Sequence, residues 1–338
     1  MSNPRIELAR AYSGELIEAD PHIIAVFVTG SVARGDPVEL SDIDIRLIVD
    51  PDAETGAAHI VREGHFLDVE RVHLSTFGDS EALLADSYLA GAVREAVILY
   101  DRDGRFTEVQ GRVAAEFAEP RWLRTRLSTL VDKVDANCAK IAVAIEADDH
   151  LQIFRQGAFA LWNLSDALLV SQGWSPSWVR GLQKLGQALP EERDRIVEIE
   201  NSASMSADDV AALLPFFGDR GDSGVLGHVR REIEWMIASG LHREAFHSLW
   251  SEFALRVGGL VEADERKTRA LCREWLERIG WSGAGLHEKE QLLGGCTARL
   301  RRDLDSRGRV NRCVSSSGGG FPVVFVALSD AVDVRDPV

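Results

Sequence analysis

The sequence is poor in anything that would staple it or embed it in a membrane. Its four cysteines, Cys138, Cys272, Cys296 and Cys313, stand far apart, with no C-x-x-C pair and no histidine at ligand spacing. That spacing excludes a zinc ribbon and fits reduced thiols. No stretch approaches the ~20 apolar residues of a membrane span. The N-terminal MSNPRIELARAY has no apolar signal core, so the expected location is cytoplasmic. Positive charge is also scarce: 38 Lys and Arg against 54 Asp and Glu leave a formal net charge of −16. A surface of that sign repels a phosphate backbone. It argues against a nucleic-acid partner and suits a small or cationic substrate.

What is present is ordinary for a globular protein, with 45% hydrophobic and 27% charged residues. A chain of 338 residues exceeds one average domain, and two are expected.

Apolar spacing predicts a helix over 4–19 and another over 79–94. IIAVFVTG (23–30) is a continuous apolar run and reads as a buried strand. SDIDIRLIV (41–49) alternates, with Ile43, Ile45, Leu47 and Val49 on one face and Asp42, Asp44 and Arg46 on the other. HFLDVERVHL (65–74) alternates too, placing Asp68 and Glu70 on one face with Phe66 and Val72. AVILYDRDG (96–104) reads as a strand running into a turn. Beyond it the strand signals stop. Helical spacing then recurs over 120–147, 150–172, 175–187, 206–217, 226–258 and 262–279, the first opened by Pro120. The expected fold is therefore α+β: a catalytic domain with a small mixed sheet over 1–104, then an all-α bundle over 105–310. A flexible tail over 311–338 contains SSSGGG (315–320) and an apolar FPVVFVAL (321–328) that could add an edge strand.

The chemistry concentrates in VTGSVARGDPVELSDIDIRLIV (28–49). A strand ends at Gly30, and a Gly-Ser turn opens a short helix with free backbone N–H groups. Those groups and the Ser31 hydroxyl suit a phosphate. Eleven residues after Ser31, Asp42 and Asp44 emerge on one strand face, ~6–7 Å apart along the chain. Paired carboxylates hold hard cations such as Mg²⁺. Without a cation, like charges side by side on one strand face destabilise it. Asp68 or Glu70 would supply a third carboxylate. Together the parts make a phosphoryl-transfer site, in which metal bridges triphosphate oxygens and two-metal sites clamp attacking and leaving oxygens.

In these residues the sequence resembles the polymerase-β-like nucleotidyltransferase superfamily. The shared pattern is an apolar strand, Gly30-Ser31, a spacer, Asp42-Ile43-Asp44 on the next strand, and a later acidic strand. The G-S-x-A-R-G opening and the S-D-I-D close look like the minimal and antibiotic-type members, and the resemblance covers roughly 20–104. The helical remainder is similar only in general character to the bundles of kanamycin- and streptomycin-type adenylyltransferases.

The resemblance implies transfer of a nucleoside monophosphate, AMP from ATP, to a hydroxyl, with release of pyrophosphate and two Mg²⁺ ions. The acceptor it suggests is a small molecule such as an aminoglycoside. Asp42, Asp44 and Glu70 would bind metal and Gly30 and Ser31 phosphate. Glu70 is followed by RVHLS as the third acid is in the antibiotic enzymes, which places it ahead of Asp68. Arg34 is equally a triphosphate contact or a partner of Asp36, and Arg46 is a salt-bridge residue on the acid face. A general base would come from the helical half. Asp166, three turns from Arg155 on one helix, is a candidate for it, although a solvated helix face explains both residues better. Trp162 and Trp174 are better read as core than as stacking platforms. His22, His65 and His73 lack ligand spacing. Two other readings remain open: a protein- or tRNA-modifying transferase of a toxin–antitoxin system, and a non-catalytic nucleotide-binding regulatory module.

Overall fold

The computed structural model describes residues 3–177, 179–217 and 225–309. The tail over 311–338 lies outside them, and Cys313 with it. The fold is α+β followed by helices. Helix α1 (Pro4–Ala19), capped by the Asn3 side chain, leads into β1 (Ile23–Thr29). After it come α2 (Gly30–Arg34), β2 (Ile43–Val49), β3 (Gly56–Arg62) and β4 (His65–His73). Then follow α3 (Ser80–Ala85), α4 (Leu89–Glu95) and β5 (Val97–Asp101). The sheet order is β3-β4-β2-β1-β5, with β2 and β4 parallel and the other pairs antiparallel.

Each strand's pattern follows from what covers it. β1 is buried at every position. Ile23, Val26 and Val28 pack with α1 and α2 on one face, and Ile24, Ala25 and Phe27 with the helices on the other. Burial on both faces explains its unbroken apolar run. β2 buries Ile43, Ile45, Leu47 and Val49 on the α1 side. On its opposite face Ile48 is covered, while Asp44 and Arg46 are only partly so.

One helix differs from the sequence expectation here, and one strand was not expected. The helix expected over 79–94 is two helices, because the Asp86 carboxylate accepts from the Tyr88 and Leu89 backbone N–H groups and starts a second one. Strand β3 escaped the pattern reading. As an edge strand exposed at most positions, GAAHIVR has no alternating apolar face, and only its ladder with β4 defines it.

Helix α5 (Arg105–Glu116) follows the turn at Gly104 and packs on the sheet, where Phe106 stacks on Phe27 with centroids 4.3 Å apart. Helix α6 (Pro120–Glu146) begins in that same cluster at Trp122 and runs on into the bundle core at Leu127, Leu130 and Val134. Buried Arg126 fastens it by donating to the Leu84 and Phe117 carbonyls at 2.8 and 2.6 Å. The bundle continues with α7 (His150–Ser171), α8 (Gly181–Ala188), α9 (Pro190–Glu200), α10 (Ala207–Ala211) and α11 (Val225–Ala238). It ends with α12 (His242–Arg278) and α13 (Ala284–Arg309). The helices expected over 226–258 and 262–279 are redistributed: one stops at Ala238, and α12 spans the rest with a break at Asp264. No described helix is long and apolar enough to cross a membrane.

Candidate active site

The acids of β2 and β4 meet where the sheet faces the helical half. Parallel pairing sets Asp44 level with Asp68 and Arg46 level with Glu70. Asp44 lies against the turn after β1. A Cβ on Gly30 would fall 2.0 Å from Asp44 Oδ2, and Gly30 holds φ +69°. Only glycine accepts both the left-handed backbone and the contact. The Gly30-Ser31 pair and the Asp-Ile-Asp motif are thus two sides of one contact.

Charge in the cluster is lopsided. Arg46 reaches Glu70 at 2.8 Å, Asp68 at 3.1 Å and Asp44 at 3.7 Å. His59, on β3 opposite Asp68, lies 3.2 Å from its other oxygen. Asp42 has no hydrogen bond or ion pair to any described residue. Burial, then Asp44, Glu232 and Asp68, push the Asp42 carboxyl well above the usual range, with Arg46 opposing. Burial and Asp68 raise Asp44, with Arg46 opposing. Both directions mark a place short of positive charge.

The helical half adds groups the sequence reading did not single out. Glu232 of α11 is buried, and its carboxyl is raised to about 7 by burial, with Glu252 and Asp44 adding and Arg180 opposing. Arg180 donates to the Asp36 carbonyl at 2.7 Å, and Lys184, one turn on, lies 3.2 Å from the Asp36 carboxylate. Arg34 touches the same carboxylate at 3.3 Å and Glu95 at 3.4 Å. Three cations therefore gather beside the Gly30-Ser31 turn around one Asp36. Burial works to raise Asp36, yet Lys184, Arg34 and Arg180 hold it below its usual value. His228 of α11 stacks on Phe66, centroids 4.4 Å apart.

Residues 10–95 match the family model described as "Nucleotidyltransferase domain". They are a nucleotidyltransferase domain of the polymerase-β-like superfamily. No curated protein matches the sequence. Among solved structures the chain is similar to a nucleotidyltransferase-like protein from Exiguobacterium sibiricum, at 14% identity and a TM-score of 0.36. That likeness covers 88% of this chain and 91% of the other.

Within the nucleotidyltransferase domain lie Gly30, Ser31, Arg34, Asp42, Asp44, Asp68 and Glu70. The structure brings Gly30, Asp44 and Asp68 together and sets Glu70 one step farther along β4, against Arg46. Asp166 is elsewhere, fully enclosed. It accepts from the Tyr88 hydroxyl, and burial raises its carboxyl to about 7. Trp162 borders that pair, while Arg155 packs over Phe159 instead of joining Asp166. Trp174 is exposed, at 39%, and is not the core residue its sequence suggested.

The donor set fits a divalent cation. Two hard oxygen donors, one of them unpartnered, sit in an enclosed and anionic place beside a glycine turn.

Proposed function

We propose that this chain transfers a nucleoside monophosphate, AMP from ATP, to a hydroxyl of a small acceptor and releases pyrophosphate. The observation that carries this reading is Asp44 seated against Gly30, with an unpartnered Asp42 beside it and Asp68 level with it. Asp42 and Asp44 would hold Mg²⁺, with Asp68 and Glu70, the two candidates for a third acid, beside them against Arg46. Bound there, the ion would neutralise charge on the triphosphate. The Gly30-Ser31 turn, Arg34, Arg180 and Lys184 orient the phosphates, with Asp36 keeping the cations gathered until nucleotide arrives. The acceptor oxygen forms a bond to the α-phosphorus, the bond to the bridging oxygen breaks, and the electron pair leaves with pyrophosphate. Glu232, facing the acid pair from α11, takes the hydroxyl proton.

The acceptor side is also acidic. Glu232 is influenced by both Asp44 and Glu252, and Glu252 lies beside Trp162, Val179, His247, Ser248 and Ser251. A net charge of −16 favours a cationic, amino-bearing acceptor such as an aminoglycoside. The test is a screen with α-labelled ATP and Mg²⁺ over aminoglycosides, bulk tRNA and cell protein. Label on an aminoglycoside, lost in Asp42→Ala and Asp44→Ala, supports the reading. Label on tRNA or protein redirects the acceptor. Nucleotide binding without transfer to any acceptor supports a regulatory module instead.

A further inference from the structure

Arg46 already supplies a cation inside the acid cluster. Its guanidinium contacts the carboxylates of Glu70, Asp68 and Asp44 and donates to the Asp68 carbonyl at 3.3 Å. Asp68 Oδ2 therefore accepts from Arg46, Oδ1 lies against His59, and Glu70 is ion-paired to Arg46 as well. Asp42 and Asp44 are the carboxylates left over, one with no hydrogen bond or close ion pair among the described residues and one with a single contact at 3.7 Å. Among the described residues, no three His, Cys, Asp or Glu side chains converge to hold an ion together.

We propose that Arg46 takes the place of a second metal ion, so that the site binds one divalent cation per nucleotide, at Asp42 and Asp44. This rests on reading the cluster as a metal–nucleotide site. A guanidinium suits the role because it stays protonated and its planar fork spans neighbouring carboxylates. Its position is fixed by the strand: two residues after Asp44, it projects from the same face and meets the next acids of β4 in register. Asp68 and Glu70 are then positioning residues that act through Arg46, and His59 steadies Asp68 from the edge strand.

The test counts ions on the full chain by equilibrium dialysis with Mn²⁺ and α,β-methylene-ATP. The wild type should bind one Mn²⁺ per chain beyond that in free nucleotide solution. Arg46→Met should bind two, since it frees Asp68 and Glu70, and Arg46→Lys should return to one. Two ions on the wild type, or one on a folded Arg46→Met chain, overturns the inference. Circular dichroism checks the fold, and the wild-type count decides alone if Arg46→Met is unfolded. Asp42→Asn separates the two readings. Two ions on the wild type that fall with Asp42→Asn overturn the Arg46 role and leave the metal site standing. A count that Asp42→Asn does not change overturns both.

Discussion

Gly30 and Asp44 touch so closely that neither tolerates a change in the other. Gly30→Ala adds left-handed strain of about 1–2 kcal/mol and drives a methyl into Asp44 Oδ2. Nucleotide transfer should fall at least about 10²-fold, the scale of losing one preorganised group, while far-ultraviolet circular dichroism stays native. Activity near wild type would show that the contact does not position Asp44. Glu232 allows a second prediction at this scale. Its folded carboxyl is raised from 4.5 to about 7, so the native state binds more protons than the unfolded state between those values. That costs stability as pH rises. Glu232→Gln should therefore melt higher than wild type near pH 8, with the gap closing towards about pH 5. A gap that widens on acidification would contradict the assigned environment. The motif residues Gly30, Ser31, Asp42 and Asp44 were legible because fifteen consecutive positions hold them all. Arg180, Lys184 and Glu232 were not. Arg180 meets Asp36 across 144 positions, and such a contact leaves no periodic trace in the sequence.

The elements were legible in proportion to how much apolar surface they bury. β2 buries alternate residues from Ile43 to Leu47, β4 buries Leu67 and Val69 on one face, and β1 buries all of its own, so each left a pattern. β3 buries none fully and left no pattern, although its His59 reaches the cluster. α9 was overlooked despite Pro190 at its start and Glu191 and Glu192 in its first turn, signals that mark a helix N-terminus. Helix α8 carries the prediction at this scale. Arg180 and Lys184 lie one turn apart and face the glycine turn through Asp36. Replacing either with Ala should raise KM for ATP about tenfold and change kcat less, as loss of uniform phosphate binding does. A drop in kcat at unchanged KM would place them outside the phosphate site.

Across the whole molecule the two halves are sewn together rather than merely adjacent. Tyr88 donates to buried Asp166, Ser175 to Glu95 at 2.6 Å, and α6 passes unbroken from the sheet cluster into the bundle. Sequence periodicity placed the change from strand to helix near 104 but carries no information on which helices stay with the sheet. Phe106, Val113 and Trp122 complete the core around Phe27 and Phe77. A fragment ending at 104 should therefore fail to fold or should aggregate, because large buried side chains are each worth about 3–5 kcal/mol. A native-like melt for that fragment would contradict this packing. The central claim is that Asp42 and Asp44 hold a metal–nucleotide complex. Calorimetric titration of ATP into the full chain, with Mg²⁺ and with chelator, in wild type and in Asp42→Asn/Asp44→Asn, tests it most directly. Binding should require Mg²⁺ and weaken by at least about tenfold in the double variant, the effect of about 1.4 kcal/mol. Equal affinity without metal, or in the double variant, would contradict it.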